Sequence, residues 1–234
     1  MRKRLEFDIV SQPNDITCGP TCLYSVYRYH EYYPNFDKLL SEVTMLQNGG
    51  CLTPQLGIHA LSQGFSAKIF AFNLNIFDPS WFELPADALI EKLGLHAEIK
   101  TDPKLRFASK AYQQFLQCGG EIKFEDLSSD LIRKPLLDDI PIICALSSTW
   151  LYHAMREIPE NCVDHDLQGE PTGHFVVLSG FDMTNNLIKV SDPYEKNPLS
   201  KGNTYSVTLD RLICAILLGV VTCDANLLLI EPKK

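Results

Sequence analysis

Apolar and polar positions fall into two regimes along the chain, with the change near residue 140. In the first regime they recur at helical spacing. Thr21 to Glu31 puts Leu23, Val26, Tyr27 and His30 on one stripe, and the helix must end before Pro34. A second helix is expected from Phe36 through Leu39, Leu40 and Val43, broken by Gln47-Asn-Gly-Gly50. Thr53-Pro54 reads as a cap followed by a first-turn proline, and that helix runs until Gly64 stops it. Strands are expected at 5–10, where residues alternate, and at Ser66 to Asn73. Residues 74–140 read as mostly helical, with turns at Asp78-Pro79 and Asp102-Pro103, a helix from Phe107 to Cys118, and one from Ser128 to Leu137 interrupted near Pro135. Phe77, Trp81 and Phe82 read as a packed aromatic cluster in preference to a substrate groove.

In the second regime the apolar runs shorten to strand length. Ile142 to Leu146, Gly173 to Phe181, Leu187 to Ser191, Thr204 to Val207 and Leu227 to Ile230 are the expected strands, with a helix at Leu209 to Leu218. Helices first and an antiparallel sheet afterwards make the fold class α+β. With no repeat, linker or low-complexity segment, 1–234 reads as a single domain.

Composition narrows the function classes. The 234 residues are 45% hydrophobic and 21% charged, an ordinary globular balance, and the formal charge of −8 argues against a nucleic-acid binder. Met1-Arg-Lys-Arg is basic, but no apolar export segment follows it. Leu212 to Val221, the most apolar stretch, is about half a bilayer span. The expected setting is therefore soluble and cytoplasmic, with no membrane span. Eight cysteines are scattered singly, which suits reduced thiols and neither a disulfide framework nor a zinc site.

The chemistry gathers around three short stretches. Cys18 follows the polar turn from Gln12 and opens a helix, where unpaired N–H groups and the helix dipole favour a thiolate. Gln12 lies where a turn can fold its amide back beside the sulfur, to pair with the Cys18 backbone N–H in holding an oxyanion. His174 begins one strand and Asp192-Pro193 ends the next. Antiparallel neighbours would bring both to one sheet edge, as a base and its orienting carboxylate require. Singly, each has a plainer reading: a buried cysteine, a strand-end histidine, an Asp-Pro turn. Together they are a Cys-His-Asp set.

Gln12 with Cys18-Gly-Pro-Thr-Cys-Leu, then Gly173-His174-Phe-Val-Val-Leu, then Ser191-Asp192-Pro193 resemble the signatures of the bacteriocin-processing (double-glycine) cysteine peptidases, which are papain-like. The resemblance spans about residues 8 to 195. It implies Cys18 as nucleophile, His174 as general base and acid, Asp192 as orienter and Gln12 as oxyanion donor. It also implies a peptide or protein substrate, with small residues such as Gly-Gly before the cut, and no cofactor. The transporter-linked members carry membrane and nucleotide-binding domains that have no counterpart here, and there is no Walker-type phosphate loop. The chain thus resembles a stand-alone member, with 74–140 as a helical insertion. An acyl transferase of transglutaminase-like type uses the same triad, and a non-catalytic peptide-binding module is the alternative from another class. Oligomeric state is not legible.

The stretch from Trp150 to Thr172 precedes the histidine and is acidic, with Glu157, Glu160, Asp164, Asp166 and Glu170. It reads as a loop beside the cleft favouring cationic or neutral substrate segments, with Trp150 and Tyr152 as substrate-binding candidates. A metal site from Cys162, Asp164, His165 and Asp166 is disfavoured by crowded spacing. His30, His59 and His96 read as structural.

Overall fold

The structure is a computed structural model that describes residues 1–46, 49–159, 161–222 and 224–233. The Gln47-Asn48 part of the expected break, Glu160 and Cys223 lie outside the described residues. In chain order the elements are β1 (Arg2–Arg4), α1 (Cys18–Tyr29), α2 (Phe36–Glu42), α3 (Thr53–Ser62), β2 (Phe65–Ala71), α4 (Ala86–Ile99), α5 (Pro103–Gln117), β3 (Glu121–Lys123) and α6 (Ser129–Leu137). Then come β4 (Ile142–Ser147), α7 (Ser148–Tyr152), β5 (Glu157–Ile158), β6 (Val163–Asp164), β7 (Gly173–Asp182), β8 (Leu187–Ser191), β9 (Thr204–Thr208), α8 (Leu209–Leu218) and β10 (Asn226–Pro232).

The main sheet runs β3-β2-β10-β4-β7-β8-β9, with β1 added beside β7. All its pairs are antiparallel except β2 with β3. The fold class is α+β as read, but the sheet is not confined to the second half. β2 and β3 join it by pairing across long sequence distances, β2 against the terminal β10. Strand pairing near the N-terminus is also displaced. Residues 2–4 pair with β7, whereas 5–10 is irregular: Leu5 and Phe7 bury their side chains and the Leu5 N–H donates to the Ser179 carbonyl.

Local chemistry sets the helix ends. Asp102 caps α5 by accepting from the Lys104 N–H at 2.8 Å, so that helix starts four residues before the expected Phe107. Helix α6 runs through Pro135 without interruption. The proline sits in the last turn and forfeits only the bond to the Leu131 carbonyl. Phe77 is buried edge-on against Tyr112, and Phe82 stacks on Phe124, so these aromatics pack the insertion onto the sheet. On α1, Leu23, Val26 and Tyr27 are fully buried. Gly19 permits the close seat of this helix: a Cβ there would fall 2.5 Å from Cys51 Sγ and 3.1 Å from the Phe175 ring. Helix α1 thus presses its first turn onto the start of β7.

Candidate active site

Cys18 is the first residue of α1, 9% exposed, in a first turn that carries no acidic residue to compete for the helix N-terminus. Its sulfur faces the His174 side chain and the backbone N–H groups of Phe175 and Gly19. Burial pushes the thiol up, but His174 and these N–H groups outweigh it and hold Cys18 below its ordinary 9.0.

His174 is the second residue of β7, opposite Leu146 of β4. Strand β8 lies on the other side of β7, and Asp192 follows its last residue. Antiparallel pairing therefore carries Asp192 to the end of the sheet where β7 begins. His174 Nε2 donates to Asp192 Oδ1 at 2.8 Å, which leaves Nδ1 for the Cys18 thiol. Burial disfavours the imidazolium, yet Asp192 and Cys18 together push His174 up to about 10. Asp192 is completely buried. Burial raises it, and the His174 charge with three side-chain donors brings it below its ordinary range. The ionised form of the pair is a thiolate facing an imidazolium.

Gln12 is tied to the same corner through its backbone, whose N–H donates to the Pro193 carbonyl at 2.9 Å. Its side-chain Nε2 donates to the Asn14 carbonyl at 2.9 Å, and its Oε1 is buried without a partner. Tyr152 ends α7 with its hydroxyl on Asp192 Oδ2 at 2.7 Å. Trp150 is 43% exposed, edge-on to His153, and belongs to the wall of neither cavity beside His174.

Those two cavities flank His174. The smaller, about 220 Å³, is lined by Cys18, Ile16, Leu46, Gly49, Gly50, Cys51, Phe175 and Asp224 among others. The larger, about 360 Å³, is lined by Gln12, Asp15, Tyr152, Glu157, Asp164 and Tyr194 among others. Glu157 and Asp164 pair across the β5–β6 hairpin. Burial first, and then Asp164 and Asp15, raise the Glu157 carboxyl. Asp166 and Glu170 take no part in that wall. The Asp166 carbonyl accepts from Arg156, and the Glu170 backbone pairs with Glu157. His165 Nδ1 accepts from the N–H groups of Leu167 and Gln168, and no described group of His, Cys, Asp and Glu side chains is set to hold a metal ion.

Sequence reasoning missed Tyr205, whose hydroxyl reaches Asp192 at 2.6 Å from the second position of β9, and also Asp15, Cys51 and Asp224. Only the register of β8 with β9, where Val190 faces Tyr205, points to the first. His59 is bound to Tyr27 at 2.8 Å and Glu42 at 3.3 Å, away from the site.

Residues 102–211 match the model of the Peptidase_C39 like family, a segment that includes His174 and Asp192 and begins after Cys18. No curated protein matches. Among solved structures, a C39-like peptidase from Bacillus anthracis superposes with a TM-score of 0.51 at 13% identity, covering 100% of this chain and 98% of that one. A double glycine motif protease from an AMS/PCAT transporter, in complex with the leader peptide, gives 0.48 at 13% identity over 99% and 95% of the two chains. Xylellain, a cysteine protease from Xylella fastidiosa, gives 0.47 at 12% identity over 100% and 86%. At such identity the Bacillus structure shows a shared fold. The resemblance in the sequence is borne out: the chain is similar over residues 102–211 to the Peptidase_C39 like family and shares the α+β fold of the Bacillus structure.

Proposed function

We propose that the protein is a cysteine peptidase or amidase working through Cys18, His174 and Asp192. The observation that carries this is the unbroken chain from the Cys18 thiol through His174 to the buried Asp192 carboxylate. The thiolate attacks the scissile carbonyl, and the Cys18 backbone N–H with the Gln12 amide stabilises the oxyanion. Nε2 of Gln12 has a second N–H beyond the one given to Asn14, and that proton is the donor assigned here. His174 then passes its Nδ1 proton to the leaving amine, which departs and leaves a thioester. Water, deprotonated by the same nitrogen, resolves it. The 234 residues act as one peptidase domain with 74–140 as a helical insertion. The described cysteines are all free thiols, which supports a reducing, cytoplasmic setting.

The test is cleavage of a peptide library by wild type and Cys18→Ala. Cleavage by the wild type alone supports the reading, and cleavage by both, or by neither, sinks it. Gln12→Ala should lower turnover by ~10²–10³. Unchanged turnover there would remove Gln12 from the oxyanion site and leave the nucleophile standing. Asp15, Glu157 and Asp164 on the larger cavity favour cationic or neutral segments over acidic ones. Gly-Gly peptides varied only in flanking charge should be cut faster when basic, with the advantage shrinking as salt rises. Equal rates would detach this wall from substrate selection.

A further inference from the structure

Four protein donors occupy the lone-pair directions of the Asp192 carboxylate. Oδ1 accepts from His174 Nε2 at 2.8 Å and from the Tyr194 backbone N–H at 2.9 Å. Oδ2 accepts from two phenols, Tyr152 at 2.7 Å and Tyr205 at 2.6 Å. The phenols come from separate elements. Tyr152 ends α7 on the cleft side, where it lines the larger cavity and its ring lies 6.2 Å from that of His174. Tyr205 arrives from β9, across the sheet from Val190.

A carboxylate with no exposed surface would be neutralised if half its acceptor sites stood empty. Two neutral donors on Oδ2 replace the lost water without adding a charge that would compete with the imidazolium. Phenols suit the task because rigid rings fix the hydroxyls, and both stay protonated: burial, then Asp192, pushes each of them up.

We propose that Tyr152 and Tyr205 are positioning residues, a two-phenol clamp that keeps Asp192 ionised and aimed at His174 and so sustains the thiolate of Cys18. The clamp rests on the reading of Cys18 as nucleophile. The other titratable or charged groups facing this assembly include Tyr194 against the His174 ring, Glu157 of β5 toward His174, Cys22 of α1 toward Asp192, Cys51 toward Cys18, and Arg211 of α8 toward Tyr205. Each stays in place in the variants below.

The experiment is the pH dependence of Cys18 alkylation by iodoacetamide, followed by mass spectrometry, which needs no knowledge of the substrate. Removing a phenol destabilises the ionised carboxylate, weakens its hold on the imidazolium and lets the Cys18 thiol rise. Tyr152→Phe and Tyr205→Phe should each move the midpoint upward, and the double variant by about one pH unit, a tenfold slower reaction below the midpoint. In an Asp192→Asn background the same changes should leave the midpoint where it is, since the charge they serve is gone. A hydroxyl that merely packs would alter melting temperature and leave the midpoint alone. An unmoved midpoint in a double variant that melts like wild type overturns the clamp. If Tyr205→Phe fails to fold, Tyr152→Phe decides by itself. Wild-type Cys18 labelled no faster at pH 6 than the exposed Cys118 would overturn the nucleophile reading as well, which separates the two failures.

Discussion

Asp192 and Asp224 are two buried carboxyls at the same end of one sheet, three strand steps or roughly 14 Å apart, and they behave oppositely. Asp192 is 0% exposed and held below its ordinary range, whereas Asp224 is 7% exposed and raised to about 7. Burial acts on both in the same direction, upward. Hydrogen-bond supply does not separate them either. Asp224 accepts from the Thr53 N–H at 2.6 Å, from the Thr53 hydroxyl at 2.9 Å and from the Asn226 amide, with Tyr112 also beside it. What Asp224 lacks, among the described residues, is a cation. Neutral donors soften the cost of a buried charge, and only an opposite charge reverses its sign. Ionisation is thus concentrated on the line from Asp192 through His174 to Cys18, although Asp224 borders the same cavity as the sulfur.

The largest effect follows from removing the cation. In His174→Ala, Asp192 becomes a second Asp224 and Cys18 becomes an ordinary buried thiol. Turnover should come close to zero, and alkylation of Cys18 at pH 6 should fall on the order of 10²-fold. Alkylation that stays fast would show that the helix N-terminus alone sustains the thiolate, and the contrast between the two carboxyls would lose its chemical meaning.

Asp192→Asn keeps the shape and removes the charge. An asparagine oxygen still accepts from Nε2, so the ring orientation survives, as in Cys-His-Asn enzymes. Turnover should fall, by less than for His174→Ala, because the ring keeps its acceptor and loses only the charge beside it. The acid limb of its pH profile should move up, because losing the carboxylate charge weakens the imidazolium and lets the Cys18 thiol rise. A loss as complete as that of His174→Ala would mean that Asp192 does more than orient and charge the ring.

This contrast also separates what was legible in the sequence from what was not. Cys18, His174 and Asp192 each mark an element boundary beside turn-forming residues, and one antiparallel pairing brings the last two together. Apolar runs disclosed β4, β7 and β10. The sheet membership of β2 and β3 was not legible, because β2 pairs with a strand over 150 residues away, β3 enters the sheet only through β2, and neither pairing shows in local pattern. Tyr205 and Asp224 were missed for the same reason. Alternation along β9 gives the face of Tyr205, but only its register with β8 gives its partner, and Asp224 owes its character to α3 beginning against it.

The smallest effect concerns Asp224 and is one of stability. Its folded value, about 7, lies above the ordinary 3.8, so between those pH values the folded chain holds a proton that the unfolded chain has lost. The stability contributed by that proton is present at low pH and is lost as pH rises through the window to about 7. Asp192 has the opposite sign, supporting the fold above its unfolded value and failing as pH falls. In Asp224→Asn the side-chain oxygen still accepts from Thr53, and the Asn226 amide oxygen, buried without a partner, can turn to receive the new N–H. Melting temperatures of wild type and variant should therefore converge near pH 4 and separate toward pH 8. The variant should be the more stable there, by a margin that widens with pH up to about 7 and then levels off. Because every other group titrates alike in both proteins, the difference between the two curves isolates Asp224. A constant offset across pH would show that it is ionised in the fold throughout, and that neutral donors alone can hold a carboxylate at this end of the sheet.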